Sequence, residues 1–188
     1  MIDGGQWDGG AGMVERVTAA QVGIEPWSEA DLPLLHLTNT PEVMAQLGGP
    51  ESAAGVEARH RLYLDIAARG AGCRFSVLLL PQREAVGTIG YSERDWQGER
   101  VYEMGWKVLP DFQGRGIAAA AAGAAVAHAR AVGRLRYLHA FPPLANPASN
   151  AVCRRAGFEL VGTCDFEYPP GSGTVKRSND WRLDLSAR

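Results

Sequence analysis

Hydrophobic and polar residues alternate in three consecutive segments in the middle of the chain. The segments are Cys73–Leu80, Ala85–Arg94 and Val101–Leu109, and short links that contain Pro81-Gln82-Arg83 and Trp96-Gln97-Gly98 separate them. Alternation with a period of two is typical of β-strands, and links this short join antiparallel neighbours. The pattern therefore predicts an antiparallel meander of three strands.

Helical patterns precede this meander. Ser28-Glu29-Ala30-Asp31 matches a capping box that starts a short helix, and Pro41–Leu47 predicts a second short helix. Ser52–Arg69 predicts a longer amphipathic helix. The residues that share its apolar face are Val56, His60, Tyr63, Ile66 and Ala67.

The rest of the chain adds strands on both sides and two more helices. Val14–Pro26 predicts a first strand, Gly114–Val132 a long alanine-rich helix, and Arg136–Phe141 another strand. A short helix from Asn150 to Ala156 is expected to be capped by Ser149 or Asn150 and closed by Gly157. Phe158–Cys164 and Asp180–Leu185 predict the last two strands, with Asp165–Asn179 as a long connection. This order indicates a mixed α/β layer architecture.

The turn between the strand Val101–Leu109 and the long helix carries the strongest chemical signal. Gly114-Arg115-Gly116 lies directly before a helix of small residues. Glycines permit a tight turn there, and the free N–H groups and partial positive charge of a helix N-terminus attract anions. The sequence thus predicts a binding site for a phosphate-bearing molecule.

Composition narrows the remaining possibilities. The length of 188 residues predicts one domain, residues 13–188, behind a glycine-rich mobile tail at residues 1–12. A net charge of −2 and the lack of a basic stripe argue against nucleic acid, and no apolar run has the length of a membrane span. The cysteines Cys73, Cys153 and Cys164 have no metal-ligand spacing, so no metal is expected, and a reducing cytoplasm is their natural setting.

Two sequence blocks resemble the GNAT acetyltransferase superfamily. Gln113-Gly114-Arg115-Gly116-Ile117-Ala118, after Pro110-Asp111-Phe112, resembles the loop that binds the pyrophosphate of coenzyme A. Asn146-Pro147-Ala148-Ser149-Asn150, followed by a short helix and Gly157-Phe158, resembles the later block of the branch that includes ribosomal-protein N-terminal acetyltransferases. The resemblance spans roughly residues 14 to 185. It implies a mostly antiparallel sheet of six to seven strands, splayed at its central strands and flanked by helices.

The resemblance also implies acetyl-CoA as cosubstrate and a primary amine as acceptor. Backbone groups near Val108 and Leu109 are expected to pair with the pantetheine arm, and a backbone N–H of this strand to polarise the thioester carbonyl. The side chain of Arg115 either adds charge or points to solvent. The residues expected to contact the cofactor are Val108, Leu109, Gln113, Gly114, Arg115, Gly116, Ile117, Ala118, Asn146 and Ser149.

Catalysis needs a base that makes the amine neutral and an acid that protonates the leaving thiolate. Glu103 is the first candidate base, acting through water, and Glu93 and His139 are the alternatives. In the family a tyrosine acts as the acid, and its position is Cys153 here, which either donates the proton or packs as a small hydrophobe. Tyr168 is an alternative acid.

The acceptor is left open at this stage. A groove between residues 38–50 and the last long connection, with Asp165 and Glu167, suits a cationic amine, either a small molecule or a protein N-terminus. A non-catalytic coenzyme A-binding module of the same fold is the alternative function. Exposed strand edges favour a possible homodimer.

Overall fold

A computed structural model describes residues 16–168 and 173–187. The predicted tail at residues 1–12 lies outside these ranges. One seven-stranded sheet organises the chain, with the strand order β1-β2-β3-β4-β5-β7-β6. The strands are β1 Val22–Pro26, β2 Gly72–Leu79, β3 Glu84–Trp96, β4 Glu99–Val108, β5 Tyr137–Ala140, β6 Glu159–Glu167 and β7 Val175–Asp184.

All neighbouring strands pair antiparallel except β4 and β5, which pair parallel. The helices are α1 Leu32–Leu37, α2 Pro41–Met44, α3 Ala53–Ala68, α4 Ile117–Val132 and α5 Pro147–Arg155. The meander is β2-β3-β4, and the predicted mixed sheet is confirmed.

Side-chain alternation along the strands divides the core between the two faces of the sheet. Phe75 and Val77 of β2 join the main cluster with α4, whereas Arg74 and Ser76 point to the α1 and α3 side. The buried face of α4 is almost all alanine, so the helix lies close to the sheet. Its alanines with no exposed surface are Ala121, Ala122, Ala125 and Ala129.

The short helices form a second cluster on the opposite face. Trp27, Leu34, Leu35, Val56 and Tyr63 pack together there. Ser28 and Asp31 make the predicted capping box, and the Ser52 hydroxyl accepts the N–H of Gly55. The predicted apolar face of α3 is buried except at Ala67, which is exposed because it lies past the contact with the sheet.

Three boundaries differ from the sequence expectation. β1 begins only at Val22, because Thr18 and Gln21 close a 3₁₀ turn over Ala19–Gln21. Helix α5 begins at Pro147 with Asn146 as its cap, so neither Ser149 nor Asn150 has that role. The predicted connection 165–179 is mostly strand, since β6 and β7 pair as far as Glu167 and Val175.

Candidate active site

The central feature of the site is the gap between β4 and β5. β4 pairs with β3 from Glu99 to Val108, but it pairs with β5 only at Tyr102 and Glu103. Beyond Glu103 the two strands separate. The sheet is therefore open at its centre, as expected for a splayed sheet.

The backbone of β4 presents hydrogen-bonding groups to this gap. Leu109 donates its N–H to Val86 on β3, at 2.9 Å. Because antiparallel bonding alternates along a strand, Trp106 and Val108 turn their backbone groups the other way, and they lie beyond the last pairing with β5, so these groups face the gap. The carbonyl of Val108 accepts a bond from the Gln113 side chain at 2.9 Å, which leaves its N–H and both groups of Trp106 facing the gap.

Leu109 itself is not available for such contacts. Its N–H bonds to β3, and its carbonyl accepts the N–H of Phe112 at 2.9 Å. The structure therefore does not support the expected strand-edge contact at Leu109, and the gap-facing backbone groups belong to Trp106 instead. The error is one step in strand register, which the sequence pattern alone does not set.

A glycine turn, residues 113–118, joins β4 to α4. Gly114 and Gly116 have φ angles of 74° and 92°, in the left-handed region that glycine adopts without strain. Gly116 is the N-cap of α4 and brings no capping side chain. Within the described residues, the N–H groups of Gly114, Gly116 and the first turn of α4 have no protein acceptor. This arrangement fits an anion such as a diphosphate.

Arg115 contributes to the turn through its backbone and not to the cavity wall. Its carbonyl accepts the N–H of Val17 at 2.9 Å, and its guanidinium lies over the Phe112 ring, 5.6 Å from the centroid. The side chain is absent from the residues that line the cavity.

Helix α5 and the segment before it form the wall on the far side of the gap. The Asn146 side chain caps α5 by accepting the N–H of Ser149 at 3.0 Å. Asn150, which the sequence analysis considered only as a helix cap, is buried and makes four side-chain bonds: its amide donates to the carbonyls of Pro143 and Asn146, and its oxygen accepts from Asn179 and Trp181. These bonds tie α5 to β7 and fix the position of Asn146.

One cavity of about 650 Å³ connects the glycine turn with the opposite face of the sheet. It passes through the gap and ends beneath α2, α3 and the end of β6. The predicted cofactor residues that line it are Val108, Gln113, Gly114, Gly116, Ile117, Ala118, Asn146 and Ser149. The sequence thus identified residues on this side of the cavity. Leu109 and Arg115, which were also expected there, are not among the residues that line it.

Residues 21–159 match the sequence model of the acetyltransferase (GNAT) domain family. The match covers well over half of the chain. The chain belongs to the GNAT acetyltransferase family. A search of curated protein sequences found no relative.

Several solved GNAT structures have the same fold. The spermidine N-acetyltransferase of Vibrio cholerae, in complex with CoA and spermine, is 20% identical, with a TM-score of 0.72 over 89% of this chain and 97% of that one. A GNAT acetyltransferase of Bacillus anthracis is 20% identical, with a TM-score of 0.71 over 89% and 96%. An acetyltransferase of Salmonella typhimurium that modifies the N-terminal serine of ribosomal protein L7/L12 is 21% identical, with a TM-score of 0.71 over 87% and 95%.

Glu103 lies in the wall of this GNAT cavity, on the face of β4 away from α4. Its carboxylate pairs with Arg94 of β3, with 2.8 Å between Oε2 and Nη1. Its position in the cavity wall favours Glu103 among the candidate bases. The ion pair occupies one oxygen of its carboxylate.

The other two candidate bases lie elsewhere. Glu93 is not part of the cavity wall, and it pairs with Arg100 and Arg134. His139 is buried beside Asp180, with 2.6 Å between Nδ1 and Oδ1, and its ring stacks on Phe141. These contacts give both residues structural roles.

The structure reverses the expected order of the two candidate proton donors, Cys153 and Tyr168. Cys153 is 0% exposed within the main core and is not part of the cavity wall. Burial raises the pKa of its thiol to about 12. Its assignment as a proton donor is not retained, because it has no access to the reacting groups. Tyr168 does line the cavity, and burial raises the pKa of its phenol, so it stays protonated.

The far end of the cavity differs from the groove that the sequence predicted. Residues of the early helices and Tyr168 line it as expected, but Asp165 and Glu167 do not. Asp165 pairs with Arg177, and Glu167 accepts the N–H of Gly173. Instead, Tyr63, Arg74 and Lys107 reach the cavity, and we call these three residues with Tyr168 the acceptor pocket.

Neither basic residue of this pocket, Arg74 or Lys107, was identified as a site residue from the sequence. A signal was present for Lys107, since it shares the strand face of Glu103 and breaks an otherwise apolar segment. Arg74 gave no signal, because a single arginine in a strand usually faces solvent. Within residues 16–168 and 173–187, no helix combines the length and the hydropathy that crossing a bilayer requires.

Proposed function

We propose that this protein transfers the acetyl group of acetyl-CoA to a primary amine by direct attack in a ternary complex. The observation that carries the proposal is the single cavity that joins the glycine turn to the acceptor pocket through the gap between β4 and β5. Both substrates have room to meet there without a covalent enzyme intermediate.

The residues of the glycine turn fit the diphosphate of coenzyme A. The N–H groups of Gly114, Gly116 and the first turn of α4, which have no acceptor among the described residues, lie together at the start of the helix, and the helix dipole adds a favourable field. The gap-facing groups of Trp106 and Val108 suit the amides of the pantetheine arm. Acetyl-CoA supplies an activated acetyl thioester at the end of that arm.

A backbone N–H of β4 is the natural group to stabilise the developing oxyanion. Trp106 and Val108, which lie beyond the last pairing of β4 with β5, turn their N–H groups into the gap, where the thioester is expected. Because these groups are part of a paired strand, they are fixed before the substrate arrives.

Glu103 accepts the proton of the attacking amine, directly or through one water. The nitrogen forms its bond to the acetyl carbon, the carbon–sulfur bond breaks, and the electron pair leaves with sulfur. Arg94 holds the carboxylate at the cavity wall. Tyr168 is the group that we assign to protonate the thiolate, since its phenol is buried, protonated and in the same cavity.

One pair of observations favours the alternative of a non-catalytic module that binds coenzyme A. The cysteine at the family's acid position is buried, and the candidate base is held in an ion pair. Such a module binds acetyl-CoA without releasing free thiol.

The deciding experiment measures binding and turnover separately. Calorimetry with acetyl-CoA tests the glycine turn, and thiol release with a panel of polyamines, amino acids, amino sugars and N-terminal peptides tests catalysis. Thiol release that depends on an amine supports the enzyme. Tight binding with no thiol release across the panel supports the module instead.

We also propose a cytoplasmic location and a homodimer. The three cysteines are free thiols, in keeping with a reducing compartment. Leu160 and Val161 of edge strand β6 and Val175 of β7 have exposed apolar side chains that a second copy would cover. Sedimentation of the purified chain tests the dimer.

A further inference from the structure

Two cations of the acceptor pocket have no carboxylate partner in the part of the chain that the structure describes. Lys107 is 9% exposed, and the contact of its ammonium is the thioether of Met44, at 3.7 Å. The guanidinium of Arg74 lies over the Tyr63 ring, 4.7 Å from its centroid, and its Nε is buried without a hydrogen bond. Among the described residues, neither takes part in an ion pair.

The sheet is shaped to bring Arg74 into the pocket. Arg74 of β2 pairs with Gly90 of β3, and Gly90 pairs with Gly105 of β4. A Cβ on Gly90 would collide with the Arg74 side chain, and a Cβ on Gly105 would lie 4.0 Å from Nη1. The arginine thus crosses β3 over a bare backbone and ends at β4, next to Lys107.

The surrounding groups do not neutralise these charges. Arg59 adds a third cation nearby. The negative charge of Glu51 acts on Lys107 from a distance, but its carboxylate is bound by Arg59. Burial alone would raise the pKa of Tyr63, yet Arg74, Lys107 and Arg59 outweigh it and lower that pKa. The local field in this part of the protein is therefore positive.

Two carboxylates of the described residues line the cavity, and neither forms an ion pair with Arg74 or Lys107. Glu103 pairs with Arg94, and Glu42 is an exposed residue of α2. A buried charge costs several kcal/mol unless it is paired, so two unpaired cations in a cavity indicate a partner that arrives with the substrate.

We infer that the acceptor of this enzyme is an amine that carries an anionic group, a carboxylate or a phosphate, which Lys107 and Arg74 bind while the amine points to Glu103. This inference rests on the proposed acetyl transfer and specifies its substrate class. Amino acids and amino sugar phosphates have this chemistry. A polyamine, whose charges are all positive, would be repelled from the pocket.

The test compares matched pairs of ligands on the protein saturated with CoA. Calorimetry measures the affinity for each amino acid and for its carboxamide, which differ by the negative charge, and for an amino sugar with and without its phosphate. We expect at least one anionic member to bind about thirtyfold more tightly than its neutral partner. Lys107→Met is expected to abolish that difference, and Lys107→Arg to restore most of it.

Controls separate this inference from the proposed function. Arg61→Met removes an exposed cation from α3 and should keep the preference for the anion. Lys107→Met should keep the wild-type affinity for acetyl-CoA. Equal affinity within all pairs, tighter binding of spermine, or a loss of acetyl-CoA affinity in Lys107→Met would overturn the inference. Anion preference without thiol release would leave it standing and refute the proposed catalysis.

Discussion

The ion pair of Glu103 and Arg94 defines what the candidate base can do. A carboxylate held by a guanidinium at 2.8 Å keeps one oxygen for the arginine and presents the other to the cavity. It can therefore orient a water and accept its proton, while staying in a fixed position. Glu93, on the neighbouring strand, has the same chemistry but faces away from the cavity.

Glu103→Gln is expected to lower kcat about a hundredfold, because general base catalysis contributes a factor of this order. The affinity for acetyl-CoA should not change, since Glu103 does not face the glycine turn. Steady-state kinetics and calorimetry measure the two effects, with Glu93→Gln as the matched control that keeps full turnover. An unchanged kcat in Glu103→Gln would remove this residue from the mechanism.

Variants of Cys153 and Tyr168 distinguish which of the two residues protonates the leaving thiolate. Cys153→Ala should keep kcat and lose about 1 kcal/mol of unfolding free energy, since a buried sulfur leaves the core. Tyr168→Phe should lower kcat about tenfold or more and leave stability unchanged. Kinetics and denaturant unfolding on the two variants check this; a catalytic defect confined to Cys153→Ala would reverse our assignment.

At the scale of the element, the start of α4 determines cofactor binding. The glycine turn offers backbone N–H groups and no side chain, so its affinity for anions depends on local geometry and on the helix field. A single negative charge placed there should compete with the diphosphate.

Gly116→Asp and Gly116→Asn isolate that charge. Both side chains tolerate the positive φ of this position better than other residues, and they differ mainly in charge. The aspartate variant should bind acetyl-CoA at least about tenfold more weakly than the asparagine variant, and added salt should narrow the difference. Equal affinities in calorimetry would show that the diphosphate binds elsewhere.

The elements also show what the sequence could predict. The meander, the capping box at Ser28 and the glycine turn follow from local signals, namely alternation, capping residues and paired glycines. The extent of β6 and β7 does not, because Asp165, Arg177 and their neighbours are polar on an exposed edge and look like a loop. The sequence singled out Asn146 because it matches a position of the family's second block. Its role as the cap of α5 is seen only once the helix is known to begin at Pro147.

The acceptor pocket was hidden for a different reason. Arg74, Tyr63 and Lys107 come from β2, α3 and β4, so their approach depends on sheet register and on Gly90 and Gly105 lying side by side. Such contacts between distant segments leave no periodic pattern in one sequence. The same limit explains the error at Leu109, where one step of register decides which backbone groups face the gap.

Over the whole molecule, a net charge of −2 conceals a local excess of positive charge. The chain has two lysines, and Lys107 is buried. Burial lowers the pKa of Lys107 below its ordinary value, so the folded protein holds this proton less tightly than the unfolded chain does. The cation that we assign to substrate binding thus weakens the fold in the absence of substrate.

Lys107→Met should therefore stabilise the substrate-free protein by about 1–3 kcal/mol near neutral pH, while it removes the preference for anionic acceptors. The unfolded lysine has a pKa of about 10.4, and the folded one lies lower. Between these two values the wild type loses its buried charge, so its deficit shrinks as the pH rises through that window. Denaturant unfolding of both proteins from about pH 7 to about pH 10 measures the difference. A variant that is less stable than the wild type at neutral pH would mean that Lys107 already has a compensating partner within the fold, and the pocket would then have no unmet charge to offer an acceptor.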